Sequence, residues 1–167
     1  AFTGSTATAL RIRRAMAANL KPGAPLIAET GGLNAMIVDS TALPEQAVQS
    51  ILESAFQSAG QRCSALRCLY VQEDIADDFL KMLKGAMDTL TLGDPWHLST
   101  DSGPVIDATA RAGILAHIDA ARAEGRVLKE MQTPQGGTFV APTLIEVPGI
   151  AALEQEIFGP VLHVARF

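Results

Sequence analysis

Apolar positions along the chain repeat with two periods, and the switches between them mark its elements. Residues 6–20 follow the helical period, with Ala9, Met16, Ala17 and Leu20 partly on one side and Arg11, Arg13 and Arg14 exposed; Pro22-Gly23 closes the segment. A short strand is expected at Pro25–Ala28, broken by Gly31-Gly32, and another at Ala35–Val38. Pro44 opens a helix with the stripe Ala47, Val48, Ile51, Leu52, Ala55 and Phe56, which stops before Gly60. Leu66–Val71 reads as a strand. Glu73-Asp74 start a helix with Ile75, Phe79, Met82, Leu83, Ala86, Met87 and Leu90 inward, the two acids suiting the positive end of the helix dipole. Gly93-Asp94-Pro95 makes a turn and 95–105 a loop. Asp107 caps a helix that buries Ala110, Ile114, Ile118 and Ala121 and ends at Gly125. Further strands are expected at Arg126–Met131, Phe139-Val140, Thr143–Val147 and Val161–Phe167, with a turn at Thr133–Gly137. Strands alternating with helices predict an α/β fold, an open and mainly parallel sheet with flanking helices.

Composition narrows the picture. A length of 167 residues suits one domain, or one domain with a piece of a neighbour. Thirteen Lys plus Arg against eighteen Asp plus Glu, a net charge of −5, argues against a nucleic-acid or membrane-surface binder. Hydrophobic residues are 48% and charged residues 19%, as in a globular protein, and with aromatics at 5% the core must rest on Ala, Leu, Ile and Val. No apolar run approaches the roughly 18 residues of a membrane span. Two cysteines, Cys63 and Cys68, make no disulfide framework and fit a reducing, cytoplasmic compartment. His97, His117 and His163 have no partner at metal-ligand spacing, so no metal site is expected. The apolar stretch Val161–Phe167 runs to the last residue, and the chain is expected to be a piece of a longer polypeptide.

Four segments could carry chemistry. Phe2-Thr3-Gly4-Ser5-Thr6 is a glycine turn opening a helix, whose free N–H groups can hold a phosphate or simply be capped by Ser5. Glu29-Thr30-Gly31-Gly32 puts a carboxylate at a strand end, working or solvated. Gly60-Gln61-Arg62-Cys63-Ser64 sets a thiol just past a helix and beside a cation; Arg62 lowers the thiol pKa if it points toward it, and the thiolate is the nucleophile. Cys68, among Leu66, Leu69 and Val71, reads as structural. Glu156-Ile157-Phe158-Gly159-Pro160 presents an acid and an aromatic from one turn, or merely leads a strand.

In this order and at these separations, the four segments resemble the signature blocks of the aldehyde dehydrogenase superfamily. Gly137–Thr143 is similar to the stretch before the family's last block. Glu29–Leu43 (ETGGLNAMIVDSTAL) and Ser58–Leu66 (SAGQRCSAL) resemble its pyrroline-5-carboxylate, or glutamate-γ-semialdehyde, dehydrogenase branch. Lys81–Met87 and Ser99–Asp107 resemble the bifunctional bacterial members of that branch. The likeness covers essentially the whole chain.

The resemblance implies NAD-dependent oxidation of glutamate γ-semialdehyde to glutamate in proline breakdown. It implies Cys63 as nucleophile, Glu29 as the general base that activates water, and the Cys63 N–H as half of an oxyanion hole. Family members that pass the acyl group to coenzyme A generally lack this Glu, so Glu29 implies hydrolysis. Glu156 would bind the nicotinamide-ribose hydroxyls and Phe158 pack near the nicotinamide. Thr3, Gly4 and Ser5 would line the nicotinamide and pyrophosphate, and Ser64 would meet the substrate carboxylate.

Residues 1–29 would belong to the NAD-binding domain and 30–167 to the catalytic domain, both partial, with the oxyanion-hole Asn and the adenosine contacts expected upstream of Ala1. The chain alone is therefore expected to turn over little. NAD is the implied cofactor, FAD entering only if a proline dehydrogenase domain is fused to the same polypeptide. Aldehyde substrate and NAD are the implied partners, and the parent is expected to be a homo-oligomer. Leu33 stands where many family members carry Lys, at a position variable in this branch. Oxidation of another aldehyde and a non-catalytic α/β assembly module are the alternatives.

Overall fold

A two-residue strand, a helix and a second two-residue strand build the first of two units in the computed structural model, which describes all 167 residues. This unit is Ala1–Gly32; the second is Leu33–Phe167. In the first, β1 (Phe2–Thr3) lies parallel to β2 (Ala28–Glu29), with Phe2 opposite Ala28 and Thr3 opposite Glu29. Between them runs α1 (Thr6–Asn19), capped by Ser5, whose hydroxyl accepts from the Thr8 N–H at 3.2 Å. Of α1 only Ala9 is buried; Leu10, Leu20 and Ile27 of this unit are exposed. The expected strand at Pro25–Ala28 is displaced to Ala28–Glu29. Pro25 has no N–H to give a ladder, and β1 is only two residues long, its Phe2 N–H bonded to the Ile27 carbonyl at 2.8 Å.

The second unit is a five-stranded sheet in the order β3-β4-β7-β6-β5. Its strands are β3 (Asn34–Val38), β4 (Leu66–Val71), β5 (Val127–Glu130), β6 (Thr143–Glu146) and β7 (Val161–Arg166). Its helices are α2 (Pro44–Phe56), α3 (Glu73–Met87) and α4 (Ala108–Ala123). All neighbours are parallel except β5 and β6, which no helix separates and which pair antiparallel. Helices α2 and α3 pack Val48, Ile51, Phe79 and Leu83 on one side, against Leu69, Leu144 and Leu162. Helix α4 packs Ile114 and Ile118 against Cys68, Ile145 and Val161 in a separate cluster. The open, mainly parallel α/β sheet read from the periodicity is the one found. No helix is long and apolar enough to cross a membrane.

Three further expectations need correction. Met82 is 39% exposed and Leu80 is buried instead, because the buried row of α3 runs Ala76, Phe79/Leu80, Leu83, Met87 and Met82 sits about 100° round the helix from Leu83. Helix α3 ends at Met87, where Asp88, Thr89 and Leu90 switch to bonds three residues back (3.2, 3.1 and 3.0 Å), though Leu90 still packs on the core. Phe139-Val140 is not a strand: the Thr138 carbonyl accepts from the Val105 N–H at 3.1 Å and the Phe139 carbonyl from Arg111 Nε at 3.0 Å, so loop contacts take the place of a ladder.

Candidate active site

Within the first unit, the four residues singled out by sequence gather at the C-terminal ends of two parallel strands. Thr3 and Glu29 face each other across the β1–β2 register, and the Gly4 N–H donates to the Glu29 carbonyl at 3.1 Å. Ser5 follows as the cap of α1, its hydroxyl 2.9 Å from that of Thr8. No acidic residue lies in the first turn of α1, an end whose N–H groups and dipole favour negative charge. The Glu29 side chain is exposed.

In the second unit, Cys63, Ser64, Glu156 and Phe158 belong to segments that enter neighbouring strands. The Cys63 loop runs directly into β4 and the Glu156–Pro160 turn directly into β7, its hydrogen-bonded neighbour. The segments meet at two glycines. Gly60 has φ +66°, and a Cβ there would lie 2.1 Å from the Gly159 carbonyl oxygen. Ahead of Gly60, Ser58 (φ 55°) and Ala59 (φ 53°) are also left-handed, a conformation that costs L-residues roughly 1–2 kcal/mol each. Three left-handed residues in a row thus turn the chain out of α2 and set the thiol on an exposed loop.

That loop is held by its carbonyls. Asn34, the first residue of β3, donates its amide to the carbonyls of Cys63 (2.8 Å) and Ala65 (2.9 Å). The Ala65 N–H closes a turn on the Arg62 carbonyl at 3.1 Å, and no hydrogen bond within the chain uses the Cys63 N–H. The Arg62 side chain turns back, its Nε donating to the Ser58 hydroxyl at 3.0 Å. Gln61 ties the loop to the segment before α4, its Oε1 accepting from the Ile106 N–H at 2.9 Å. Ser64 is exposed beside Cys63. Cys68 is buried in β4, and burial pushes its thiol pKa up.

Sequence reasoning missed Arg67. It is the extra residue of a β-bulge: Asn34 pairs with Leu66 and Ala35 with Cys68, so Arg67 has no register partner on β3. Its side chain is 1% exposed and carries a charge that needs partners. Nε (3.1 Å) and Nη2 (2.9 Å) donate to Glu156 Oε1, Nη1 to the Gly159 carbonyl (3.2 Å) and Nη2 also to the Arg62 carbonyl (3.1 Å). The guanidinium carbon lies 5.3 Å from the centre of the Phe158 ring, which is itself 46% exposed. The available signal was a cation in an apolar strand four residues after the thiol.

Two of the three histidines, none of them favoured by the sequence pattern, also form a pair. His163, opposite Cys68 in the sheet, holds its Nδ1 3.0 Å from the Arg67 carbonyl and its Nε2 2.8 Å from Nε2 of His117 on α4. A carbonyl only accepts, so Nδ1 of His163 carries the proton, its Nε2 accepts, and His117 Nε2–H donates. Nowhere do three or more His, Cys, Asp or Glu side chains gather as metal ligands would.

Comparison with known proteins gives the family. The profile described as "Aldehyde dehydrogenase family" matches residues 1–167. The chain is 55% identical over 177 aligned residues to the bifunctional protein PutA of Salmonella typhimurium, covering 99% of the chain and 13% of that protein. It is 37% identical to the 1-pyrroline-5-carboxylate dehydrogenase of Geobacillus thermodenitrificans, of which it spans 33%. Among solved structures, proline utilization A of Bradyrhizobium japonicum superposes with a TM-score of 0.94 at 52% identity, over 99% of this chain and 17% of that one.

Proposed function

The chain belongs to the aldehyde dehydrogenase family, and from that premise we propose that it carries the thiol centre of an enzyme oxidising L-glutamate γ-semialdehyde, the open form of pyrroline-5-carboxylate, to glutamate with NAD. The observation that carries this reading is the meeting of the exposed Cys63 loop with the Glu156–Phe158 turn around one buried cation. Likeness to a 1-pyrroline-5-carboxylate dehydrogenase supports the substrate.

The residues suit a dinucleotide. The acid-free N-terminus of α1, with Thr3, Gly4 and Ser5, offers N–H and hydroxyl donors for the pyrophosphate side. Glu156 offers a carboxylate, oriented by Arg67, for ribose hydroxyls, and Phe158 an exposed ring face for the nicotinamide. When bound, NAD supplies the acceptor for the hydride that leaves the substrate carbon.

The chain's own groups supply the rest. The Cys63 thiolate attacks the aldehyde carbon to form a thiohemiacetal, and the Cys63 N–H donates to the oxygen that gains charge. Oxidation at that carbon leaves a thioester on Sγ. Glu29 takes a proton from water, which attacks the thioester carbonyl; the acid departs and the thiol is restored. The Ser64 hydroxyl donates to the distal carboxylate of the substrate.

The test uses the full-length protein and follows NADH. Glutamate semialdehyde is expected to be oxidised with kcat/KM about a hundredfold above that of propanal, since an unmatched polar pocket penalises the apolar analogue. Cys63→Ser is expected to abolish turnover. Glu29→Gln is expected to retain a first burst of NADH while the steady rate drops about a hundredfold or more. Preference for propanal overturns the substrate, and full activity in Cys63→Ser overturns the thiol mechanism, leaving the non-catalytic module.

A further inference from the structure

Arg67 touches both halves of the thiol site and neither reacting group. One buried guanidinium holds the carbonyl preceding Cys63, the carboxylate of Glu156 and the carbonyl following Phe158, while its face lies against the Phe158 ring. Each contact uses the planar fork of arginine, which lysine cannot reproduce. The bulge takes Arg67 out of register with β3 while the flanking Leu66 and Cys68 stay paired, so its side chain serves the strand entrances rather than the sheet core. Its own carbonyl is fixed by His163, which anchors the main chain from which the side chain reaches.

We propose that Arg67 is a positioning residue that couples the Glu156–Gly159 turn to the Cys63 loop, so that engagement of the turn by the dinucleotide resets the presentation of the thiol. Any ligand that draws on the Glu156 carboxylate or stacks on Phe158 shifts the guanidinium's other bonds, and the Arg62 carbonyl lies on the same nitrogen, Nη2, as one of the Glu156 contacts. Conversely, the position of the Cys63 loop bears on how firmly Glu156 is held. This inference rests on the functional reading above, because it takes that turn to be the dinucleotide's contact.

The experiment compares wild-type full-length protein with Arg67→Lys and Arg67→Met. Cys63 alkylation by iodoacetamide is timed by peptide mass spectrometry with and without saturating NAD, and Cys68 in the same digest reports global unfolding. In wild type the Cys63 rate is expected to differ at least about threefold between the two conditions, and in Arg67→Lys this ratio is expected to fall toward one. The KM for NAD is expected to rise about tenfold, more than kcat falls, with Cys68 still protected.

A purely structural arginine predicts the reverse: lower thermal stability in both variants, with the NAD ratio and KM unchanged in whatever folds. That result in Arg67→Lys overturns the proposal, as does a wild-type Cys63 rate indifferent to NAD. Should Arg67→Met not fold, Arg67→Lys and Phe158→Leu carry the comparison, the latter expected to weaken the ratio as well. Wild-type protein that makes no NADH from any aldehyde defeats the functional reading itself, whereas active wild type with an unaltered Arg67→Lys defeats only the coupling.

Discussion

Gly60 does two things that no other residue can. It takes the last left-handed step before the thiol loop, and it leaves room for the Gly159 carbonyl where a side chain would begin. Gly60→Ala adds a left-handed penalty of about 1–2 kcal/mol to a backbone collision that only movement of the β7 entrance relieves. The expected loss is more than about 2 kcal/mol of unfolding free energy in urea, with little native protein at 37 °C as the extreme outcome. A loss near zero would mean that the two segments are not locked together there. Cys63, Glu29 and the Glu156–Phe158 turn stood out in the sequence because each sits in a local pattern of glycine and chemistry. Arg67 and Asn34 did not: Asn34 serves carbonyls 29 and 31 residues away, which leave no mark on residue type, and Arg67 meets a carboxylate 89 residues on that only the strand order brings to it.

At the scale of elements, periodicity located the helices well because α2 and α4 carry clean buried rows and firm boundaries, Pro44 and Asp107 at their starts and Gly125 just past the end of α4. Short strands were harder. The β1–β2 pair is only two residues long, and Phe139-Val140 has strand-like residues but loop partners. The α4–β7 contact makes a quantitative prediction. Burial, above all, holds His163 down at about 4 from an ordinary 6.5, and burial followed by the charge of Arg126 lowers His117 as well. The unfolded chain therefore binds more protons between these values, and folding stability falls as pH drops from 6.5 toward 4. For His163 alone the loss is about 3 kcal/mol, complete only below its folded value. Urea midpoints across this range are expected to show that slope in wild type and a flatter one in His163→Gln; equal slopes would place the titrating groups elsewhere.

Across the whole molecule, the two units differ in how much apolar surface they bury internally. The second packs two clusters of aliphatic side chains on a sheet, while α1 of the first buries Ala9 alone. In amide hydrogen exchange of the 167-residue chain, residues 6–19 are expected to lose protection well before β4 and β7, whose opening requires breaking the core. Matched protection in α1 and β4 would refute that ranking. No local reading of sequence could supply the strand order. Segment 60–66 and segment 156–161 lie far apart along the chain, and only the insertion of β7 between β4 and β6 makes them neighbours.

That insertion has a consequence for how the polypeptide can be divided. The loop between Asp94 and Pro104 separates the strand that follows the thiol from the strand that follows Glu156. A chain opened there yields one piece with Cys63 and Arg67 and another with the Glu156 carboxylate and Phe158 ring that Arg67 meets. Neither piece holds a complete set, and the β4–β7 ladder is the seam along which they must rejoin. Mixed together, the two pieces are expected to re-form the Arg67–Glu156 ion pair only when the central strands have found each other.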